Sequence, residues 1–265
     1  MSLLEVRGLT VRAAGGGDLV TDLSFEVRHG DRLGLIGESG AGKSLTVLAL
    51  IGLLPPGMTA SGTVLLSGQQ VVGAPQRRLD RLRGRSVAVV FQEPLTSLDP
   101  LMRVGTQVAE PLRRHRGLRG RALRRAVLDA LTEVSLTDVE RVARAYPHEI
   151  SGGQRQRAAI ALALACDPAL LIADEPTASL DTTVQAELLA LVDGLVAARG
   201  MGLLLVGHDL AVVSGVTRRL LVLHDGRAVE HGPVEDVLRS PGHPYTRDLV
   251  AAALRLRGAL DGIRP

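Results

Sequence analysis

The sequence is poor in aromatic residues. Its 265 residues include no tryptophan, two tyrosines and two phenylalanines. Proteins that bind single-stranded nucleic acid usually stack bases on aromatic side chains, and this chain offers little material for such a platform. The net charge of +3 is also small for a nucleic-acid binder, and the pI of about 9.7 reflects the high pKa of arginine. We therefore expect no nucleic-acid partner.

Cysteine and long apolar runs are also scarce. The single cysteine, Cys166, excludes an internal disulfide and is typical of a small buried side chain. The longest uncharged apolar stretch, residues 158–173, is interrupted by Asp167 and Pro168. It falls short of the roughly 18 residues that a membrane-spanning helix needs. The N-terminus does not resemble a secretory signal peptide. We expect a chain that does not span a membrane, although it could still dock on one.

Lysine is nearly absent: every basic residue except Lys43 is an arginine. Lys43 lies in the segment Gly37–Ser44 (GESGAGKS), which fits the phosphate-loop pattern G-x-x-x-x-G-K-[ST]. A compact ammonium on a flexible stem reaches between phosphates where a planar guanidinium does not fit. An apolar strand is predicted before the loop and a helix after it. The predicted nucleotide-binding residues are Gly37, Glu38, Ser39, Gly40, Ala41, Gly42, Lys43 and Ser44, with the Ser44 hydroxyl on Mg²⁺.

A second motif places two carboxylates at the end of an apolar strand. The segment Leu170–Pro176 (LLIADEP) ends in Asp174 and Glu175. Next to a phosphate loop, Asp174 would hold Mg²⁺ through water and Glu175 would orient or deprotonate the attacking water. The alternative is that both are ordinary acids at the start of a helix.

A third motif, Ile150–Gln154, places a serine and two glycines at a predicted helix start. Exposed backbone amides and a hydroxyl at such a position can bind a phosphate. The residues concerned are Ser151, Gly152, Gly153 and Gln154. The alternative is that Ser151 is only a helix cap.

Strand and helix patterns alternate along the chain and predict an α/β fold with a mainly parallel sheet. Strands are predicted over residues 3–11, 23–27, 32–36, 63–66, 87–91, 169–173 and 202–206, with a hairpin over 219–230. Helices are predicted over residues 44–54, 151–165 and 182–198, and an arginine-rich helical segment over 106–145. The arginines of that segment indicate a solvated helix face, or alternatively attraction to acidic lipid headgroups or an acidic partner.

Taken together, the three motifs resemble those of the ATP-binding subunit of ABC transporters, and the resemblance covers essentially the whole chain. It implies a RecA-like, mainly parallel sheet core with an antiparallel β subdomain and an inserted α-helical subdomain. Within one domain of residues 1–265, the implied boundaries are about 1–95 and 155–232 for the ATP-binding core, 96–154 for the helical subdomain and 233–265 for a short C-terminal extension.

The resemblance also implies roles for single residues. In that family the Ser-Gly-Gly-Gln signature, here Ser151–Gln154, closes over the γ-phosphate held by a partner subunit, so function requires a head-to-tail dimer. Gln92 resembles the loop glutamine that senses Mg²⁺, Asp181 in Ser179–Asp181 resembles the D-loop at the dimer seam, and His208 resembles the switch histidine. The implied catalytic residues are Glu175, His208 and Gln92; the implied Mg²⁺ ligands are Ser44, Gln92 and Asp174; the implied cofactors are ATP and Mg²⁺.

Three further segments resemble the dipeptide, oligopeptide and nickel importers within that family. They are residues 53–57, 91–100 and 240–246. The resemblance implies an ATPase at the cytoplasmic face of the cell membrane, paired with a second, paralogous ATP-binding subunit or with a copy of itself. Two permease subunits and, indirectly, an extracytoplasmic substrate-binding protein would complete the importer. We expect peptides as the cargo, with nickel or a metal chelate as the alternative.

Two departures from the family pattern affect nucleotide binding. The segment Val11–Gly15 lacks the aromatic that usually stacks on adenine, which predicts weaker or less base-selective binding, since stacking is worth about 1–3 kcal/mol. Gly207 stands where threonine is common, which predicts looser placement of His208. Two alternative classes are a soluble ABC ATPase acting on nucleic acid or ribosomes, and a module that holds nucleotide without hydrolysing it. The short spacing of the motifs argues against the first, and Glu175 with His208 against the second.

Overall fold

The computed structural model describes residues 2–91, 98–177 and 181–261, with side chains up to residue 255. The chain divides into two compact units, one formed by Met1–Pro75 with Gly202–Pro265 and the other by Gln76–Met201. Among the described residues, no helix combines the length and the apolar character needed to cross a membrane.

In chain order the described elements are β1 (Ser2–Arg12), β2 (Asp18–Arg28), β3 (Arg32–Ile36), α1 (Lys43–Leu50), β4 (Thr59–Leu66), β5 (Gln69–Gln70), α2 (Gln76–Leu82), β6 (Val87–Val90), α3 (Val104–Arg116), α4 (Gly120–Glu133), α5 (Val139–Arg144), α6 (Gly152–Leu164), β7 (Leu170–Asp174), α7 (Thr182–Arg199), β8 (Gly202–Gly207), α8 (Leu210–Val216), β9 (Arg219–His224), β10 (Arg227–Pro233), α9 (Val234–Arg239) and α10 (Pro244–Asp261).

The first unit contains two groups of strands. An antiparallel sheet has the order β2-β1-β4-β5, and the strands β10-β9-β3-β8 follow one another in a second sheet. Strand β3 is parallel to both β8 and β9, while β9 and β10 form an antiparallel hairpin. The apolar side chains of β3 are fully buried, as expected for a strand with neighbours on both sides. This arrangement confirms the predicted α/β class with parallel strands and an added antiparallel sheet.

The register of β3 places functional residues side by side. Ile36 at the end of β3 pairs with Gly207 of β8 and with Val222 of β9. The residues that follow these strands therefore leave the sheet at one edge. The phosphate loop begins there at Gly37, with His208 following β8 on one side of it.

Among its described residues, the second unit contains the parallel pair β6 and β7 together with six α-helices and one short 3-10 helix (Pro147–Glu149). Val90 pairs with Ala173, so Phe91 and Asp174 emerge next to each other from the ends of the two strands. The predicted arginine-rich segment forms three helices. Several of its arginines pair with acids on the helix surfaces (Arg113–Glu110, Arg124–Glu140, Arg125–Asp129, Arg144–Glu140), which favours the interpretation as a solvated face.

One predicted helix boundary was wrong, and the arginine-rich segment predicted to be helical is divided into three helices. In both places a residue with positive φ lies where a helix ends. The helix after the phosphate loop ends at Leu50 and not at Leu54, because Gly52 takes φ +65° and the chain turns before the prolines. The segment 106–145 is not continuous. Gly117, with φ +66°, ends α3, and Ser135, with φ +58°, follows the end of α4.

Candidate nucleotide-binding site

The phosphate loop is shaped by glycines that no other residue could replace without strain or collision. Gly40 and Gly42 have φ values of +87° and +98°, which L side chains rarely adopt. A Cβ on Gly37 would lie 2.3 Å from the backbone oxygen of Leu223 in β9. Gly42 forms the N-terminus of α1 without a side-chain cap, so the first helix amides are not used by a capping side chain. Such a loop presents backbone amides and a positive helix end to an anion.

Lys43 lies inside the loop that it closes. Its side chain is buried, and its Nζ donates to the carbonyl oxygens of Gly37 at 2.8 Å and of Glu38 at 2.9 Å. Ser39, Gly40 and Ser44 are exposed. The ammonium therefore sits within the loop, where a phosphate would meet it, and the Ser44 hydroxyl faces the surface. These positions fit the predicted roles of Lys43 and Ser44.

His208 is exposed directly after β8, in the same unit as the phosphate loop. Asp209 caps α8 by accepting hydrogen bonds from the amides of Ala211 at 2.8 Å and Val212 at 3.1 Å. This cap fixes the chain direction immediately after His208. A Cβ on Gly207 would lie 2.9 Å from Cγ2 of Val213, so glycine suits this position because α8 packs closely against β8.

Asp174 and Glu175 lie in the second unit, at the end of the fully buried strand β7. Asp174 is only 4% exposed, and a buried carboxylate is costly unless a cation or hydrogen-bond donors accompany it. Glu175 is half-buried and has φ +46°, in the left-handed region. A residue other than glycine costs about 1–3 kcal/mol there, and such strain concentrates at functional sites.

The signature segment forms the predicted helix start. Ser151 caps α6 reciprocally: its Oγ accepts from the amide of Gln154 at 3.2 Å, and the Gln154 side chain accepts from the amide of Ser151 at 3.1 Å. The capping role considered for Ser151 is thus confirmed. Local packing does not require the two glycines that follow, since a Cβ on Gly152 or Gly153 would meet only ordinary contacts at 3.8 and 3.7 Å.

The helix α6 is tied to the segment that follows the two carboxylates. The amide of Gln156, which is 1% exposed, donates to the backbone oxygen of Pro176. Sequence reasoning did not single out Gln156, because a glutamine inside a helix carries no pattern of its own. The contact places the signature helix and the Asp174–Glu175 turn in one packed assembly.

Asp181 is the N-cap of α7 and accepts hydrogen bonds from the amides of Thr183 and Val184, both at 3.1 Å. It is exposed, so a further contact with another chain is sterically open. Ser179 and Leu180, which precede Asp181, lie outside the described residues, and so does Gln92.

A cluster that sequence reasoning missed lies beside the phosphate loop. The hydroxyl of Tyr245 accepts a hydrogen bond from the Glu38 amide at 2.9 Å, and the Tyr245 ring stacks on His224 with centroids 4.0 Å apart. Nδ1 of His224 lies 3.1 Å from Oε1 of Glu38. The only signal in the sequence is the segment 240–246, which resembles a subfamily of importers but does not by itself indicate a contact with the phosphate loop.

Glu38, His224 and Asp225 also bring potential metal-ligand atoms within 4.8 Å of one another. However, Nδ1 of His224 faces Glu38, whereas Nε2 faces Asp225 at 3.6 Å. The imidazole thus bridges two exposed carboxylates through opposite nitrogens, and we assign this cluster no metal.

The segment Val11–Gly15, which lacks an aromatic that could stack on adenine, leads into a tight turn at residues 13–17. The Ala13 amide donates to the Gly17 oxygen at 2.8 Å, and the Gly16 amide donates to the Ala13 oxygen at 3.0 Å. The prediction of weaker or less base-selective nucleotide binding remains a prediction.

Comparisons with known proteins agree with this geometry. The ABC transporter family model matches residues 20–178 of the chain. A putative peptide import ATP-binding protein of Brucella ovis is 44% identical over 269 residues, which cover 98% of this chain and 80% of that protein. The oligopeptide transport ATP-binding protein OppD of Salmonella typhimurium is 42% identical over 257 residues, covering 96% and 77%. The ATP-binding cassette MJ0796, solved as a post-hydrolysis dimer bound to ADP and Pi, is similar with a TM-score of 0.77 and 26% identity, over 87% of this chain and 98% of that one.

Proposed function

Because the chain belongs to the ABC transporter family, we propose that it is the ATP-hydrolysing subunit of a membrane importer for dipeptides or oligopeptides. The observation that carries the proposal is the phosphate loop at Gly37–Ser44. It follows the C-terminal end of β3 in a chain that matches peptide import ATP-binding proteins over nearly its full length.

The loop's task is to bind the triphosphate of ATP. The amides around Gly40 and Gly42 and the N-terminus of α1 offer hydrogen bonds and positive potential to the phosphate oxygens. Lys43 would exchange its two carbonyl contacts for the β- and γ-phosphates, to which it can deliver a full charge. The exposed Ser44 hydroxyl would reach the metal that accompanies the nucleotide.

The donor set also fits Mg²⁺. The Ser44 hydroxyl, the Asp174 carboxylate and the Gln92 amide oxygen are hard oxygen ligands of the kind that Mg²⁺ prefers. The burial of Asp174 suits a carboxylate that faces a cation. Bound there, Mg²⁺ would neutralise charge on the β- and γ-phosphate oxygens.

Hydrolysis needs a base and a sensor of the γ-phosphate. Glu175 would accept a proton from water as the water oxygen bonds to the γ-phosphorus and the bond to the β–γ bridging oxygen breaks, releasing ADP and phosphate. The left-handed backbone at Glu175 supports this role, because it holds the carboxylate in a direction that an ordinary strand end would not give. His208, which directly follows β8 beside the phosphate loop, would contact the γ-phosphate.

The signature segment would act on a partner's nucleotide. Packing among the described residues does not require Gly152 and Gly153 to be glycines, and close approach of a phosphate from a partner subunit would account for their lack of side chains. Ser151, Gln154 and the exposed Asp181 would line the same seam. This requires a head-to-tail dimer, either with a second, paralogous ATP-binding subunit or with a copy of this chain.

We further propose that the dimer sits at the cytoplasmic face of the cell membrane beneath two permease subunits, with a binding protein delivering cargo from the other side. In this proposal residues 96–154 form the helical subdomain and residues 233–265 the C-terminal extension of the ATP-binding core. The names of the relatives favour peptides. Nickel or a metal chelate is the second candidate cargo, because the segments 53–57, 91–100 and 240–246 resemble those of nickel importers as well as those of peptide importers.

The test is ATP hydrolysis by the membrane complex that co-purifies with a tagged form of this chain. We expect a peptide mixture, given with the cognate binding protein, to raise the hydrolysis rate. Stimulation by a nickel chelate alone would move the chain to the metal branch. If no permease co-purifies, the importer proposal fails and an ABC ATPase that works away from membranes replaces it.

A further inference from the structure

The first turn of α10 contacts the phosphate loop through Tyr245. The amide of Glu38, the second residue of the loop, donates to Oη of Tyr245 at 2.9 Å. The carbonyl oxygen of the same residue accepts from Lys43 at 2.9 Å. Both backbone groups of Glu38 are therefore anchored: Tyr245 of α10 holds the amide, and Lys43 holds the carbonyl.

Tyr245 is itself well fixed. Its ring stacks on His224 at 4.0 Å with an angle of 15° between the ring planes. Its amide donates to Nδ1 of His243 at 3.2 Å. The amides of Gly242 and His243 donate to the carboxylate of Glu230 on β10, at 2.8 and 3.1 Å. The tyrosine hydroxyl is therefore held in place by the β9–β10 hairpin.

The charge state of Glu230 supports this anchoring. Burial alone would raise the pKa of Glu230, but the hydrogen bonds from Gly242, Thr246 and His243, together with the charge of His243, outweigh it, and the pKa falls below its ordinary value. The carboxylate is therefore ionised at neutral pH, and hydrogen bonds to a charged acceptor are stronger than neutral ones.

We propose that Tyr245 is a positioning residue for ATP binding, which holds the first turn of the phosphate loop through the Glu38 amide. The proposal rests on the proposed function. When the phosphates draw the Lys43 ammonium away from the Gly37 and Glu38 oxygens, the anchor on the carbonyl side is lost. The Tyr245 hydroxyl then remains as the anchor on the amide side, and the loop keeps the shape in which its inner amides face the nucleotide.

The test is the variant Tyr245→Phe, which removes the hydroxyl and keeps the ring on His224. Loss of one such hydrogen bond predicts ATP binding that is about 3- to 10-fold weaker in the full-length chain. In the assembled complex the KM for ATP should rise by a similar factor, while kcat changes less than about 2-fold, because Tyr245 does not touch the reacting atoms. Tyr146→Phe makes the same chemical change in the other unit and should leave the ATP affinity at the parental value.

A purely structural role would give a different pattern. In that case Tyr245→Phe would lower the unfolding temperature measured without nucleotide, and the KM for ATP of the folded fraction would be unchanged. If Tyr245→Phe folds poorly, Glu230→Gln provides a second readout, because it loosens the Gly242–His243 turn and should weaken ATP binding in the same direction. Parental ATP affinity in these variants would overturn the inference. Failure of the proposed function would look different, since the parent chain itself would then not bind ATP.

Discussion

Replacing Gly37 by alanine isolates the contribution of loop geometry to nucleotide binding. The backbone of Gly37 is not in the left-handed region, so alanine is permitted there by conformation alone. Its Cβ, however, would lie 2.3 Å from the Leu223 oxygen, whereas an ordinary contact begins at 3.4 Å. Leu223 pairs with Ala228 in the β9–β10 hairpin, so the loop rather than the sheet has to move, by about 1 Å.

The displacement sets the expected magnitudes. Overpacking of this kind costs about 1–3 kcal/mol, which for a chain of this size lowers the unfolding temperature by roughly 3–10 °C. A shift of about 1 Å takes amide–phosphate hydrogen bonds beyond their working distance. Two bonds to a charged partner, at about 1.5–3 kcal/mol each, correspond to at least about 100-fold weaker ATP binding.

The assay combines thermal unfolding with direct ATP binding. Gly194→Ala is the matched control, because Gly194 lies inside α7 with open space around it. There the same substitution should leave ATP binding unchanged and stabilise the chain by about 0.5–1 kcal/mol. If Gly37→Ala binds ATP as the parent does, the close approach of the loop to β9 does not govern nucleotide binding and the reasoning fails.

Two further predictions concern the N-terminal cap of α8 and the thiol of Cys166. Asp209→Ala removes the cap of α8 and should lower the free energy of unfolding by about 1 kcal/mol, or the unfolding temperature by roughly 2–4 °C. The kcat for ATP hydrolysis should also fall because His208 loses its fixed position, whereas Asp209→Asn should retain most of the stability and most of the kcat. Parental stability and kcat in the alanine variant would contradict the role of this cap. Cys166 is half-buried rather than buried as predicted, and this partial burial raises the pKa of its thiol, so less thiolate is present at pH 7.5 than in a free thiol. Alkylation by iodoacetamide should therefore be slower than that of glutathione at pH 7.5 and should accelerate as the pH rises towards 10. Equal rates at pH 7.5 would contradict the raised pKa.

The sequence was informative where a local pattern has a local cause. The glycines of the phosphate loop, the serine cap of α6 and the apolar strands β3 and β7 are set by short-range geometry and burial, and their positions were predicted to within a few residues. The sequence predicts the helix after the loop four residues too long, because the prolines at 55–56 indicate a stop whereas the turn at Gly52 ends the helix earlier.

Contacts between distant parts of the chain could not be predicted. Tyr245 and Glu38 are 207 residues apart, and nothing in either local pattern indicates the hydrogen bond between them. The same holds for Gln156, whose bond to Pro176 follows from the packing of α6. Such pairs depend on tertiary structure, so a motif search predicts the nucleotide-binding residues but does not reveal the distant residues that pack against them.

The most direct test of the central claim is ATP hydrolysis by the assembled complex in which this chain carries Glu175→Gln, measured together with the amount of ATP that stays bound. The amide keeps the size of the side chain but cannot accept the proton. We predict that ATP is retained while hydrolysis falls by at least about 100-fold, and that Lys43→Ala, by contrast, loses ATP binding itself. Hydrolysis at the parental rate by the Glu175→Gln complex would contradict the account.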